Sequence, residues 1–422
     1  MTEYWDFEME TMMPERIKVL QLQLLNQQLQ RARHAPAYRG KLPERISSLD
    51  AMKQLPFTDK GTLRENFPYG FLATRQENIV HFHLSSGSTG IPTVSFFSKN
   101  DLKRLVQNEA RCFYMAGLRS HHTFQIMAGI GLCTAGWTAY RGATEIGASV
   151  LPVGPGNTMR QIALLQQFNV DFCFATPGYL QHLLSVINQN NAQKIRLSKA
   201  ITGGEPLPKY FQKLAQEKYH IEVFNFYGMT ETGSHIATEC PYHSGLHISE
   251  DQFYCEIVDP DTGEAVPDGE YGELVITPLQ REAMPLIRYR TRDITRFISG
   301  ECPCGRTHRR IEPITHRIDD MMIINGVNVY PSQIEECIYQ SLPAATNWQI
   351  HVQEQDGLKK IRLDLELPDE WLHNPAYLDP LKQQMMSNLK ASITVSPVLN
   401  FIPRGTLPEI QGKAKRVIKD TE

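Results

Sequence analysis

A regular alternation of short apolar runs and amphipathic segments between residues 145 and 230 constrains the fold most strongly. The runs GASVLPV, VDFCFAT, KAITGG and IEVFNFYG are separated by helix-like segments such as MRQIALLQQF and PKYFQKLAQEKY. Strands that alternate with helices at this spacing form a parallel sheet with crossover helices. The sequence therefore predicts an α/β fold built around parallel strands.

The ends of these strands predict where a ligand binds. In open parallel sheets, ligands occupy the crevice beyond the carboxyl ends of the strands. Here those ends carry the segments ATPG, TGGEP and YGMTETG. We expect the three loops to line one site.

The chain divides into a large and a small unit. Its 422 residues favour two or three domains. Residues 253–280 change to β-rich runs separated by the turn-forming PDTG and PDGEYG. We predict a domain over 1–318, with a β-rich and zinc-bearing subdomain over about 240–315, and a smaller α+β domain over 319–422.

Composition limits the partners and the compartment. The formal net charge is −3, and 41% of the residues are hydrophobic. Neither value suggests nucleic acid or a membrane as a partner. The acidic start MTEYWDFEME lacks the basic and apolar segments of a secretory signal, so we expect a cytoplasmic protein. Because that compartment keeps thiols reduced, we expect clustered cysteines to be metal ligands and not disulfides.

The segment SSGSTGIP at residues 85–92 has the composition of a phosphate-binding loop without a cation. The aromatic and β-branched run TVSFFS follows it, so the loop joins two strands. Backbone N–H groups and hydroxyls of the loop could hold a phosphate, with the positive charge supplied by Mg²⁺ or by a lysine elsewhere. An ordinary hairpin turn explains the same segment equally well.

Two other segments favour a nucleotide. In NFYGMTETG, the ring of Tyr227 can stack on a purine, and Glu231 with Thr230 can hold Mg²⁺. In RYRTRDIT, Asp293 can accept hydrogen bonds from two ribose hydroxyls. The alternative interpretation makes Glu231 a helix-start acid and Asp293 an ion-pair partner of Arg290 or Arg292.

With these motifs the chain resembles the adenylate-forming superfamily, and within it the phenylacetate–CoA ligase-like family of aryl-CoA ligases. The segments that carry the resemblance occur in the family's order: SSGSTG, GGEPLP, YGMTETG, MPLIRYRTRDITR, DDMMIINGVNVYPSQIEE and LPEIQGKAKRVI. The resemblance implies ATP-dependent conversion of a carboxylic acid, expected to be aromatic, to an acyl-adenylate. The acyl group then passes to coenzyme A, with a mobile C-terminal lid serving both steps.

The resemblance also implies roles for individual residues. Lys413 on the lid, with Thr230 and Glu231, is expected to act in adenylation, with Mg²⁺ as cofactor. Asp319 is the expected hinge. The expected ATP and AMP contacts are Ser85, Ser86, Gly87, Ser88, Thr89, Gly90, Gly204, Glu205, Pro206, Tyr227, Gly228, Met229, Asp293 and Arg317.

Three residues depart from the family's pattern. Ile91 stands where the phosphate loop usually has a lysine, and His316 stands where the hinge usually has a glycine. Asn325 occupies a position where an arginine is common, which puts the coenzyme A contacts in doubt. Ile91 by itself also motivates a different class, a zinc-stabilised binding module without catalysis. The presence of Lys413 and Glu231 argues against that class.

A metal site is predicted from cysteine and histidine spacing. SGECPCGRTH places Cys302 and Cys304 one residue apart, and ATECPYHSGLH adds Cys240 and His247. Three thiolates and an imidazole suit tetrahedral Zn²⁺ with no open position, so the expected role is structural. The alternative is four unrelated side chains in a reducing compartment.

The acid pocket and the acyl acceptor are the least constrained. Trp137 and Tyr140, with Thr176 and Pro177, can wall a flat apolar acid or simply pack between helices. The second functional hypothesis is an adenylating enzyme that passes the acyl group to an amine or a carrier-protein thiol. The expected partners are a small carboxylic acid, ATP and coenzyme A, with no nucleic acid and no membrane, and a homodimer is compatible with the resemblance.

Overall fold

The computed structural model describes residues 3–85, 92–190, 194–314, 316–325, 327–342, 347–355, 358–393, 395–408 and 416–419. None of the helices found in these ranges has the length and apolarity needed to cross a lipid bilayer.

Helices surround the central sheet and begin with clear local signals. Helix α4 begins with a capping box between Ser98 and Asp101, and α7 begins with Thr176 as its N-cap and Pro177 in its first turn. In the described ranges the helices are α1 (Phe7–Glu10), α2 (Pro14–Ala32), α3 (Lys60–Glu65), α4 (Lys99–Met115), α5 (Thr134–Ile146), α6 (Thr158–Gln167), α7 (Pro177–Gln189), α8 (Lys209–Tyr219), α9 (Pro331–Ser341), α10 (Asp369–Leu372) and α11 (Pro375–Ile393).

The strands fall into sheets of very different size. In the described ranges they are β1 (Ile79–Leu84), β2 (Val94–Ser98), β3 (Thr123–Ile126), β4 (Ser149–Pro152), β5 (Phe172–Ala175), β6 (Lys199–Thr202), β7 (Glu222–Met229), β8 (Ser234–Glu239), β9 (Leu246–Ile248), β10 (Phe253–Val258), β11 (Gly272–Pro278), β12 (Tyr289–Thr295), β13 (Phe297–Ile298), β14 (Arg310–Ile311), β15 (His316–Arg317), β16 (Met322–Ile324), β17 (Val327–Val329), β18 (Trp348–Gln355), β19 (Leu358–Leu367), β20 (Val398–Pro403) and β21 (Val417–Lys419).

The central sheet confirms the predicted parallel arrangement. Among the described residues it has the strand order β13-β14-β9-β8-β7-β6-β5-β3-β4. The five strands from β7 to β4 run parallel, and the strands from β7 to β13 continue the sheet antiparallel. The parallel strands are mostly buried, because helices cover both faces.

Two antiparallel units flank the central sheet. Strands β1 and β2 form the hairpin whose connection carries SSGSTGIP, so the predicted strand-loop-strand arrangement is confirmed. Strands β10, β11, β12 and β15 form a second sheet, and its β10–β11 hairpin matches the turn chemistry of PDTG and PDGEYG. Strand β12 therefore carries Asp293 into a different sheet from the one that carries Tyr227.

The C-terminal unit has its own sheet and core. Its strand order is β20-β19-β18-β21, with parallel pairing at both outer positions. Helices α9 and α11 pack on this sheet around the buried side chains of Ile334, Trp348 and Leu389. The C-terminal residues therefore have a sheet and a core of their own, while the domain boundary at residue 318 stays a prediction.

Candidate active site

The three predicted loops lie side by side at one edge of the central sheet. Strands β5, β6 and β7 are neighbours and parallel, so their carboxyl ends share an edge. The amide of Gly178, after β5, donates to Glu205 Oε2, after β6, at 3.2 Å. Gly204 has a positive φ of 79°, which lets the chain turn sharply before Glu205 and Pro206.

Tyr227 and Asp293 meet from different sheets. The Tyr227 hydroxyl donates to Asp293 Oδ2 at 2.6 Å, and Arg317 Nη1 donates to Asp293 Oδ1 at 2.8 Å. Arg317 also donates to Asp319 Oδ1 at 3.0 Å. The predicted ribose ligand and hinge residue are therefore joined through one guanidinium.

Asp293 shifts the pKa values of the two groups that donate hydrogen bonds to it. Burial, and then the charge of Asp293, raises the pKa of Tyr227 well above its usual value, so the phenol stays protonated and donates. Burial acts to lower the pKa of Arg317, but Asp293 and Asp319 outweigh it and raise that pKa. Asp293 thus forms an ion pair with Arg317, and the expected partners Arg290 and Arg292 were wrong, because both lie against Glu273.

Glu231 lies beside the base of the phosphate loop. The Thr93 hydroxyl lies 2.7 Å from Glu231 Oε1 and 2.9 Å from Ser85 Oγ. The Thr230 hydroxyl lies 3.2 Å from that of Thr134, at the start of α5. Hydroxyl groups and one buried carboxylate thus converge where β1, β2 and β7 meet, which is a donor set that suits phosphate oxygens and Mg²⁺.

Lys60 is a charged residue of this region that the sequence analysis missed. It is the first residue of α3 and is partly buried. Burial lowers the pKa of Lys60, and the nearby carboxylate of Glu231 opposes that change. The segment FTDKG contained a helix-start signal. Asp59 accepts a hydrogen bond from the Thr62 amide at 2.7 Å, and this N-cap fixes the start of α3 at Lys60.

The predicted acid-pocket residues come from two helices. Trp137 and Tyr140 lie on α5, with the Trp137 ring centroid 4.4 Å from that of His81. His81 Nδ1 lies 3.2 Å from His83 Nε2 on the same strand, so the two imidazoles and the indole form one aromatic cluster. Thr176 and Pro177 start α7 at the neighbouring strand end.

Two departures in the hinge region have local structural explanations. The His316 ring centroid lies 4.1 Å from that of Tyr330. The histidine side chain therefore makes an aromatic contact that a glycine at this position would lack. Asn325 has a positive φ of 50°. Its amide group donates to the Lys359 carbonyl and accepts from the Lys359 amide, both at 2.9 Å, which fixes the β16–β17 turn against β19.

Part of the predicted site lies outside the described residues. Gly228 and Met229 end β7 at a register shift and are described. The predicted ligands Ser86, Gly87, Ser88, Thr89 and Gly90, together with Ile91 and Lys413, are not among the described residues.

The predicted metal ligands converge in four buried side chains. The ligand atoms of Cys240, His247, Cys302 and Cys304 all lie within 4.8 Å of one another. Cys240 Sγ lies 3.6 Å from Cys302 Sγ, and Cys304 Sγ lies 3.4 Å from His247 Nε2. They meet because β8, β9, β14 and β13 are adjacent, so the segments after β8 and between β13 and β14 fold over His247 on β9.

The N-terminal segment covers this cysteine cluster. The Tyr4 hydroxyl donates to the Cys304 carbonyl at 2.9 Å, and Arg306 Nε donates to Glu10 Oε2 at 2.5 Å in a buried ion pair. His243 and His308, the other histidines near the cluster in sequence, bond elsewhere. His243 lies 3.1 Å from Glu239 Oε2, and His308 Nδ1 lies 2.9 Å from the Ile248 carbonyl.

Comparisons with known proteins follow the same division of the chain. The sequence matches the family model for AMP-binding enzymes over residues 21–279. It matches the model for the AMP-binding enzyme C-terminal domain over residues 326–421. It is 36% identical over 425 residues to a phenylacetate-coenzyme A ligase of Pseudomonas putida, covering 97% of this chain and 95% of that protein. It is 35% identical to the same enzyme of Thermus thermophilus, covering 97% and 98%.

A solved structure resembles the whole chain in one of its states. The 2-hydroxyisobutyryl-CoA ligase in the postadenylation state superposes with a TM-score of 0.91 at 26% identity, covering 99% of this chain and 92% of that one. The same protein in its thioesterification state gives a TM-score of 0.72 at 27% identity and the same coverage.

Proposed function

Since this chain belongs to the AMP-binding enzyme family, we propose that it is an AMP-forming acid–CoA ligase that acts on an aromatic, phenylacetate-like acid. The observation that carries the proposal is the meeting of Tyr227, Asp293 and Arg317 next to the loop of Glu231. A planar ring, a carboxylate for hydroxyl groups and a metal-binding carboxylate are what a nucleotide with its Mg²⁺ requires. The curated relatives at 34–36% identity act on phenylacetate by name, which supports the aromatic class.

We assign the nucleoside to the edge formed by the β6 and β7 loops. The backbone of Gly204, Glu205 and Pro206 borders the adenine, and the ring of Tyr227 stacks on it. Asp293 accepts from the ribose hydroxyls while Arg317 keeps the carboxylate ionised and oriented. Gly228 and Met229 complete the wall, because they end the strand that carries Tyr227.

We assign the triphosphate to the loop between β1 and β2. Residues Ser85 to Gly90 contribute amides and hydroxyls, and Thr230 contacts the α-phosphate. Glu231 would hold Mg²⁺, whose charge would offset that of the phosphates. In the first step, a carboxylate oxygen of the acid attacks the α-phosphorus and pyrophosphate leaves. Lys413 stabilises the charge that develops on the α-phosphate oxygens.

The second step uses the same site with a different arrangement of the C-terminal unit. The thiolate of coenzyme A attacks the acyl carbonyl and AMP leaves with the electron pair of the broken C–O bond. We propose residues 1–318 as the catalytic domain and 319–422 as the lid, with Asp319 as its hinge. The acid lies against Trp137, Tyr140, Thr176 and Pro177, near the α-phosphate loop.

Transfer to an amine or a carrier-protein thiol is the weaker alternative. It rested on the unusual hinge and on Asn325, but Asn325 holds a left-handed turn against Lys359, so its identity has a structural cause independent of the acceptor. Coenzyme A is therefore the proposed acceptor.

We further propose that Cys240, His247, Cys302 and Cys304 bind one structural Zn²⁺. Tetrahedral zinc holds sulfur at about 2.3 Å and nitrogen at about 2.0 Å, which places two sulfur ligands about 3.8 Å apart and sulfur about 3.5 Å from nitrogen. The corresponding separations here are 3.6 Å and 3.4 Å. The ion would tie the β-rich edge of the central sheet to the N-terminal segment. The reduced thiols that it needs support a cytoplasmic location.

The proposed function is tested by product analysis with phenylacetate as probe. The purified protein is incubated with phenylacetate, ATP and Mg²⁺, with and without coenzyme A, and pyrophosphate, AMP and acyl products are measured. We expect pyrophosphate release that depends on the acid, and phenylacetyl-CoA only when coenzyme A is present. Pyrophosphate release with no thioester would support the alternative acceptor, and no release with any of a series of aromatic and aliphatic acids would reject the proposal. Light scattering on the same sample tests the homodimer.

A further inference from the structure

A contact between the C-terminal unit and the central sheet has no role in the chemistry described above. Helix α9 presents Tyr339 to the start of α7. The Tyr339 hydroxyl, which is buried, donates to Gln181 Oε1 at 2.8 Å and lies 3.1 Å from Glu335 Oε1. One buried hydrogen-bonded group thus bridges the two units.

Arg416 makes a second bridge, three residues after Lys413. Its Nη1 donates to Asn347 Oδ1 at 3.0 Å and to the Trp348 carbonyl at 2.9 Å, and its guanidinium lies 4.4 Å from the Trp348 ring centroid. Its other terminal nitrogen approaches the start of α7, since a Cβ added at Gly178 would lie 3.8 Å from Nη2. Arg416 therefore lies between the lid sheet and the first turn of α7.

Glu335 lies between these two bridges. The charged groups around it are Arg416 from β21 and its approach, Glu205 from the loop after β6, and Glu336 from its own helix. The Tyr339 hydroxyl has one hydrogen and faces two acceptors, Gln181 Oε1 and Glu335 Oε1, and its hydrogen bond to Glu335 acts to lower the pKa of that carboxyl. Burial of the carboxyl is the larger effect and raises the pKa of Glu335, so this environment favours its neutral form.

The contact belongs to one arrangement of the two units. The same solved ligase superposes with a TM-score of 0.91 in its postadenylation state and 0.72 in its thioesterification state. The two scores compare this chain with one protein in two states, and the described arrangement is closer to the postadenylation state. Moving α9 away from α7 to reach the other arrangement separates Tyr339 from Gln181.

We propose that Tyr339, Glu335 and Arg416 form a latch against the start of α7 and the loop after β6, which holds the lid in the position for adenylation. This inference rests on the proposed function and adds positioning residues to its first half-reaction. The latch sets how much of the enzyme has Lys413 in place for adenylation, and it plays no part in thioester formation.

The latch has a predictable pH dependence. Burial, opposed by Arg416 and assisted by Glu205, raises the pKa of Glu335 from 4.5 to about 7 in the latched arrangement. When α9 moves away, water solvates the carboxylate and its pKa returns toward the ordinary value. The latched arrangement therefore binds the proton more tightly: its advantage is complete below the ordinary pKa and is lost as pH rises through about 7.

The central test compares Tyr339→Phe with Tyr377→Phe. Tyr377 is exposed on α11 of the same unit and is the matched control for removing one hydroxyl. Adenylation is measured as phenylacetate-dependent pyrophosphate release, and transfer as phenylacetyl-CoA formation from prepared phenylacetyl-adenylate. We expect Tyr339→Phe to slow adenylation roughly two- to tenfold, the range for one lost hydrogen bond, and to leave transfer unchanged. Equal loss in both reactions, or no loss in either, would overturn the latch.

A measurement without substrate separates this inference from the proposed function. Hydrogen exchange in peptides that cover residues 177–184 reports directly on the face of α7 beneath α9. We expect faster exchange there in Tyr339→Phe than in the wild type or in Tyr377→Phe. Unchanged exchange rejects the latch even if the wild type proves to be a ligase, and faster exchange supports it even if phenylacetate is not turned over.

A second variant tests the carboxyl group. Glu335→Gln keeps the shape and removes the titration, so the ratio of variant to wild-type adenylation should rise on the order of three- to tenfold between about pH 6 and about pH 8. The same ratio for transfer should stay flat. A ratio for adenylation that does not change with pH would remove Glu335 from the latch.

Discussion

The cysteine cluster and the nucleotide cleft are both assembled from distant parts of the chain, but their polar atoms are satisfied differently. In the cleft, Tyr227 donates to Asp293, and Thr93 lies within hydrogen-bond distance of Glu231. In the cluster, Cys240, Cys302 and Cys304 have one another and His247 as neighbours, and the four ligand atoms all lie within 4.8 Å of one another.

The difference indicates two kinds of ligand. Polar groups that pair with each other can exchange those partners when a nucleotide arrives and restore them when it leaves, so the cleft suits ligands that come and go. Hydrogen bonds among three buried thiols stabilise the fold little, because thiols are weak hydrogen-bonding groups. The cluster therefore suits one permanent cation that stabilises the fold.

The largest expected effect is in the cleft. Glu231→Gln retains the acceptor for Thr93 but removes the charge that holds Mg²⁺, so adenylation should fall by about 10²- to 10³-fold. Zinc content and melting temperature should match the wild type. The exposed carboxylate Glu264 supplies the control variant Glu264→Gln, which should be neutral. Full activity of Glu231→Gln would remove the metal role assigned to this residue.

The next effect is in the cluster. Cys304→Ser should lower bound zinc from about one equivalent per chain to near zero and lower the melting temperature by roughly 5–10 °C, since the metal stabilises only the folded state. Cys173→Ser, at a buried thiol outside the cluster, is the control: zinc should remain bound whatever its stability. Metal analysis that finds no zinc in wild-type protein prepared without chelator would contradict the site.

The smallest expected effect concerns the hydrogen bond between Tyr227 and Asp293, one of the pairs in the cleft that a nucleotide is expected to replace. Tyr227→Phe retains the ring for stacking and removes only the hydrogen bond to Asp293. We expect the KM for ATP to change by roughly two- to fivefold with little change in kcat. Tyr242→Phe, at an exposed tyrosine, should change neither. A large loss of kcat would mean that the hydroxyl acts in the reaction rather than in nucleotide binding.

The predictions from short patterns were the most successful. The family resemblance and the α/β fold class are confirmed by the family models, the curated relatives and the solved ligase structure. The alternation of strands and helices gave the parallel strands β3 to β7, and the spacing in SGECPCGRTH and ATECPYHSGLH selected the four side chains that the fold brings together. The roles of the site residues and the domain boundary at 318 stay predictions.

Sequence by itself determined the properties that depend on neighbours along the chain: strand and helix periodicity, turns, and the chemical type of each loop at the sheet edge. Tertiary structure alone decided which distant groups pair. Arg317, rather than a neighbouring arginine, pairs with Asp293 because β15 lies next to β12. The carboxylate of Glu231 acts on the pKa of Lys60, and Tyr339 reaches Gln181, between elements 158 or more residues apart. Such pairings depend on how sheets and domains pack, and local sequence carries no periodic signal for that packing.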